Sequence, residues 1–136
     1  MAWVVDTAVL IDVLEDDSEF GVRSARALDG RGEDGLVLCP VSYVELSPAF
    51  EGNTALQEEF LEGIGIDHRE GWIAEDTRRA HAAWHAYVQR RRGGNTTKRP
   101  LTDVLIGAFA LRFQGLITRN EKDFRRTFPE LRLRAP

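Results

Sequence analysis

The sequence predicts an α/β fold built on a parallel sheet, and three observations lead there. Short apolar runs of strand length alternate with longer stretches of helical periodicity along the whole chain. One of the helical stretches, residues 101–113, is apolar around most of its circumference, as befits a helix enclosed by other elements. Finally, four acids far apart in sequence, Asp6, Glu45, Asp103 and Asp123, stand where strands hand over to helices. In a parallel sheet these junctions open on one edge, outside the carboxyl ends of the strands.

Taken in order, residues 2–5 read as a short buried strand. Residues 7–14 follow as a helix with Val9, Leu10, Val13 and Leu14 at helical spacing and Asp6 in the capping position. Residues 15–18 form a turn from which Ser18 caps a helix to about residue 28, and residues 30–35 are a loop. Residues 36–39 are the second strand, stopped by Pro40, and Ser42–Glu45 opens the next helix. A further helix is expected over 54–61 and a short third strand over 64–67. The long helix over 72–92 carries an apolar stripe of Ile73, Ala80, Ala83, Trp84, Tyr87 and Val88 and ends in three arginines, which suit its negative terminus. Residues 93–99 are a glycine-rich basic loop. Pro100 then suits the first turn of the helix over 101–113. Residues 115–118 form the fourth strand, 120–124 a turn or short helix, and 131–133 a last strand. With no repeat, low-complexity segment or linker, residues 1–136 are expected to form a single domain.

Composition narrows the function classes. With 43% hydrophobic and 29% charged residues, the chain is neither disordered nor membrane-like, and no apolar run reaches the roughly 20 residues of a membrane helix. The beginning, Met1-Ala2-Trp3-Val4-Val5, shows no secretory signal. The lone cysteine, Cys39, forms no internal disulfide and is expected as a small core residue, in keeping with a reducing cytoplasm. Net charge is -12 over residues 1–70 and +8 over 71–136. The basic second half offers either a phosphate-facing surface or a set of solvated helix faces.

Four carboxylates meeting at one rim would repel one another in a low-dielectric cleft unless a cation joined them. The economical reading is a divalent-metal site serving phosphoryl transfer or phosphodiester hydrolysis. Each acid also has an ordinary structural role open to it. Asp6 can cap a helix, and Ser42 with Glu45 matches a capping box. Asp103 lies in a helix's first turn, and Asn120 can cap a turn that includes Asp123. Asp103 is the sharpest candidate, being a charge on an otherwise apolar helix with the small residues Gly107 and Ala110 further along, which leave room for an ion and its waters. Asp12, next to an acidic turn, reads as part of a solvated face. His81 and His85 share a helix face but lack a third ligand at a known spacing.

Four segments in order carry a family resemblance: Val4-Val5-Asp6-Thr7-Ala8-Val9-Leu10-Ile11, Val41-Ser42-Tyr43-Val44-Glu45-Leu46, Leu101-Thr102-Asp103-Val104-Leu105-Ile106-Gly107-Ala108, and Leu116-Ile117-Thr118-Arg119-Asn120-Glu121-Lys122-Asp123-Phe124. Together they resemble the four motifs of PIN domains, and the chain length is that of a stand-alone PIN toxin of the VapC type. The resemblance implies a three-layer α/β/α sandwich and a Mg²⁺- or Mn²⁺-dependent endoribonuclease inhibited by a cognate antitoxin. By position, Asp6 and Asp103 match the direct metal ligands and Glu45 the third core acid. The fourth position, often an acid, is Asn120 here, with Asp123 three residues on.

On this resemblance a single Mg²⁺ is expected on Asp6 and Asp103, with Glu45 acting directly or through water. Asp123 or Asn120 would position the attacking water or a second metal. Thr7 and Thr118 would bond an acid or a phosphate oxygen, and Lys98, Arg99 and Arg119 would contact phosphates. The substrate implied is single-stranded or looped RNA, and the partners are an antitoxin and a second copy of the chain. Phe50, Phe60, Trp72 and Trp84 are candidates to line an antitoxin groove, or else ordinary core. A catalytically inactive PIN-like RNA- or protein-binding module and a DNA-directed nuclease are the rivals. A phosphatase is disfavoured because Ala8 stands where a second aspartate would follow Asp6 by two residues.

Overall fold

The computed structural model describes residues 1–29, 34–91 and 100–136, apart from the side chain of Ala27. Trp3–Val5 forms β1, Leu36–Val37 β2, Ile66–Asp67 β3, Gly115–Ile117 β4 and Leu133–Arg134 β5. All pair in parallel in the order β3-β2-β1-β4-β5. The helices are α1 (Thr7–Leu14), α2 (Gly21–Asp29), α3 (Pro40–Glu45), α4 (Thr54–Gly63), α5 (Ala74–Arg91), α6 (Leu101–Ala110) and α7 (Glu121–Thr127), with a 3-10 turn at Ser47–Phe50.

Period-two alternation along the strands divides the interior into two cores. Trp3, Val5, Leu36, Leu38, Ile66 and Ile117 face one way, onto Val9 and Leu10 of α1, Leu28 of α2, Leu46, and Leu61 of α4. Val4, Val37, Cys39, Leu116 and Leu133 face the other way, onto Ala80 of α5, Val104, Ile106, Ala108 and Phe109 of α6, and Phe124 of α7. Helices therefore cover both faces, and the α/β/α sandwich expected from the sequence is the one that forms. Cys39 is fully buried, as expected. No described helix is long and apolar enough to cross a membrane.

Several elements end where side chains intervene. The helix expected from residue 72 begins at Ala74, because the Asp76 carboxylate accepts from the Ile73 N–H at 3.1 Å and fixes the first turn. The helix expected to residue 113 stops at Ala110, where the chain tightens into bonds from Arg112 N to Phe109 O and from Phe113 N to Ala110 O. Arg112 is drawn instead to Asp76, at 2.8 Å and 2.9 Å, and to the Gly71 carbonyl at 2.9 Å. The turn before α2 is held by Asp17 rather than Ser18: its carboxylate accepts from the N–H groups of Glu19 and Phe20.

Three expectations are corrected. The Ser42–Glu45 capping box does not form, because α3 already begins at Pro40 and Glu45 closes it. The clearing expected over Gly107 is filled: a Cβ there would overlap the Phe128 ring, so this glycine lets β5's neighbouring segment close on α6 rather than making room for an ion. Phe50 and Phe60 pack together on the α1–α4 side, whereas Trp72 and Trp84 pack on the α5–α6 side. Those four aromatics do not line one groove.

Candidate metal centre

The strand order reverses at β1: β2 and β3 lie to one side of it, β4 and β5 to the other. In open α/β sheets the crevice at such a reversal, outside the carboxyl ends of the strands, is where ligands bind. Asp6 leaves the end of β1 there and Thr118 the end of β4. Asp6 N bonds Ile117 O at 3.0 Å, and the Thr118 hydroxyl donates to Asp6 Oδ2 at 2.7 Å. Thr118 in turn accepts from the Asn120 N–H at 3.0 Å, which orients the turn into α7. Although Asp6 occupies the N-cap of α1, its side chain makes no capping bond and turns to Thr118 instead.

The next residue links two helices. Thr7 Oγ1 lies 2.7 Å from Glu45 Oε1 and 2.8 Å from Ser42 Oγ. One hydroxyl carries one proton, so Thr7 donates to the Glu45 carboxylate and accepts from Ser42. A buried Ser42 and Thr7 thereby hold the acid at the end of α3 against α1.

Asp6, Thr7, Glu45, Asp103, Arg119 and Asn120, with Ala8, Ile11 and Phe20, line one cavity of about 470 Å³. Asp103 also borders a second cavity of about 620 Å³, lined by Tyr87, Arg90, Arg91, Pro100, Val104, Asp123, Phe124, Arg126, Thr127 and Phe128. Asp123 therefore lies beside the neighbouring cavity and not in the one that holds Asp6. Lys98 and Arg99 lie outside the described residues.

Within the first cavity the acids act on one another. Burial, first of all, pushes the Asp6 carboxyl up to about 6, and the Asp103 and Glu45 carboxylates add to the rise. The bonds from Thr118 and the Thr7 backbone oppose it without cancelling it. Among the described residues no three His, Cys, Asp or Glu side chains converge closely enough to enclose an ion by themselves. Among the described lining residues the groups able to ligate a cation offer oxygen, from three carboxylates, an amide and a hydroxyl. That set suits a hard divalent ion held by one or two carboxylates with water completing its shell, the arrangement magnesium favours over an all-protein cage.

Asp12 is a residue that sequence reading misplaced. It is 2% exposed, not solvated. Its carboxylate lies 3.4 Å from Arg119 Nε and 3.5 Å from the Ser24 hydroxyl. The Arg119 guanidinium also lies over the Phe20 ring, 4.6 Å from its centroid. No local signal marks this cluster, because Asp12 and Arg119 meet only once α1 and the segment after β4 have folded together.

Comparison with known proteins agrees with the fold. The family model described as PIN domain matches residues 3–128. Among solved structures, a chain in the crystal structure of VapBC2 from Rickettsia felis, bound to a DNA fragment from their promoter, superposes with a TM-score of 0.69 at 16% identity. The match covers 100% of this chain and 99% of that one. Comparison with curated proteins returns no match.

Proposed function

Since this chain belongs to the PIN domain family, whose members are generally nucleases using divalent metals, we propose that it is a metal-dependent endoribonuclease and the toxin of a type II toxin–antitoxin pair. The observation that carries this reading is the cavity at the sheet's reversal point. There Asp6, Glu45 and Asp103 share one wall-to-wall space, and Asp6 is pushed up to about 6 by burial and by the other two acids.

Asp6 and Asp103 would hold one Mg²⁺ or Mn²⁺ ion, with Glu45 acting through water, as its bond to Thr7 suggests. When bound, such an ion polarises the scissile phosphate and lowers the pKa of a coordinated water. The chain's own residues do the rest. Thr118 and Thr7 keep Asp6 and Glu45 oriented. Asn120 presents an amide to the attacking water, and Arg119 contacts a non-bridging phosphate oxygen. Asp123, Arg90 and Arg126 meet the adjoining nucleotide in the second cavity, which is wide enough for a base. Lys98 and Arg99 are further phosphate contacts. A single-stranded or looped RNA suits the site, since an unpaired backbone can bend into a recess among side chains and splay its bases. The VapBC2 likeness supports an antitoxin as partner, and a cytoplasmic homodimer is the expected working form.

Matched RNA and DNA oligonucleotides, incubated with Mg²⁺ or with chelator, test the proposal. Cleavage of RNA alone, dependent on metal and lost in a folded Asp103→Asn variant, is the expected result. Retained turnover in Asp103→Asn would remove that residue from the site. Equal cutting of DNA would change the substrate class. A wild type inert in metal would favour a binding module that keeps the fold without the chemistry.

A further inference from the structure

We infer that Asp12 and Phe20 form a positioning pair that holds the Arg119 guanidinium on the acidic cavity as its phosphate clamp, an assignment that rests on the nuclease reading. Three observations meet here. First, among the described residues Arg119 is the cation that lines the cavity, beside Asp6, Glu45 and Asp103. A polyanionic strand entering among those carboxylates needs a fixed positive charge, and Arg119 supplies one at the right wall. Second, the guanidinium is gripped from behind. Its Nε faces the Asp12 carboxylate at 3.4 Å and its plane lies over the Phe20 ring. Among the described residues no hydrogen bond is made by its two terminal nitrogens, the pair that takes a phosphate in bidentate fashion. Third, Asp12 is 2% exposed, and a carboxylate is costly to bury unless it is paired. Ser24, at 3.5 Å, is too distant to satisfy it alone. Asp12 does not line the cavity, and of the groups placed on the reacting phosphate it touches Arg119 alone, so it acts on turnover through Arg119.

The sign of the Asp12→Asn effect separates positioning from simple electrostatics. Removing a negative charge near an RNA site, through long-range attraction alone, would strengthen binding and lower KM. A clamp that has lost its support does the opposite. On a single-stranded RNA that the wild type cuts, Asp12→Asn is expected to lower kcat/KM about tenfold with KM raised, and Arg119→Gln about a hundredfold. The decisive readout is the double-mutant cycle. In the Arg119→Gln background, Asp12→Asn should change nothing further, because there is no clamp left to position. Phe20→Leu should behave in the same way, and it leaves every charge in place should the Asp12 variant fail to fold. Variants that keep wild-type KM, or whose effects persist undiminished without Arg119, would overturn the assignment. A wild type that cuts no RNA would overturn the nuclease reading beneath it, a result distinguishable because it precedes any variant.

Discussion

Replacing Asp6 by Asn is expected to raise the melting temperature of the metal-free protein at pH 8 while lowering RNA cleavage about a thousandfold. The sign follows from its carboxyl, pushed up to about 6 by burial. A group whose pKa rises on folding favours the protonated state. Its contribution is complete below about pH 4 and is lost as pH rises through 6. The loss amounts to about 3 kcal/mol across that window. An uncharged amide of the same shape escapes the loss and still accepts from Thr118, so wild type and variant should nearly coincide near pH 4, diverge as pH rises to 6 and stay apart above it. Divalent metal should close the gap by stabilising only the wild type. The fall in turnover corresponds to about 4 kcal/mol of transition-state stabilisation, within the several kcal/mol a bound ion supplies. Thermal melts across pH, with and without Mg²⁺, check the stability half. Oligonucleotide cleavage checks the other. A variant less stable than wild type at pH 8 without metal would contradict the picture of Asp6 as a charge the empty fold tolerates poorly.

Asp76→Ala is expected to be the most destabilising single change on the side of the sheet away from α1. Asp76 is fully buried, and its two oxygens take Arg112 Nε at 2.8 Å and a terminal nitrogen at 2.9 Å. One oxygen also accepts from the Ile73 N–H, so the same carboxylate starts α5 and ties it to the segment after α6. Removing it leaves a partly buried guanidinium, stacked against Phe109 and Phe113, without its counter-charge. Breaking such a pair costs about 3–5 kcal/mol, or on the order of 10 °C in Tm for a chain of this size. A double change, Asp76→Leu with Arg112→Met, should recover much of that loss, because no unpaired charge remains. Denaturant midpoints of the three proteins measure both effects, and a near-neutral Asp76→Ala would show that the pair contributes little.

Much of the fold was legible because it is written in local periodicity. The alternation at Trp3, Val4 and Val5 and the all-apolar face of α6 each specify a layer without reference to distant residues. The positions of Asp6 and Glu45 were legible for the same reason, since strand ends and helix starts are local events. What stayed hidden depends on contacts across the chain. Asp12 looks solvated beside an acidic turn until Arg119, more than a hundred residues later, folds onto it. Gly107 looks like open space until Phe128 fills it. Ser42 and Glu45 have the spacing of a capping box, yet Thr7 from another helix claims both side chains. Asp123 sits in the first turn of α7, and that turn carries it to the neighbouring cavity beside Asp103. A spacing pattern says that an acid follows a strand, whereas the helix phase beyond the strand decides which wall it joins.

Whether Asp6 and Asp103 share a divalent ion is tested most directly by calorimetric titration of Mn²⁺ into the metal-free wild type, Asp6→Asn and Asp103→Asn at pH 6. A shared ion predicts submillimolar binding by the wild type with proton release, because a carboxyl that titrates near 6 must shed its proton to ligate, and at least about tenfold weaker binding by each variant. Wild-type heats no larger than dilution, or equal affinity in all three proteins, would contradict it.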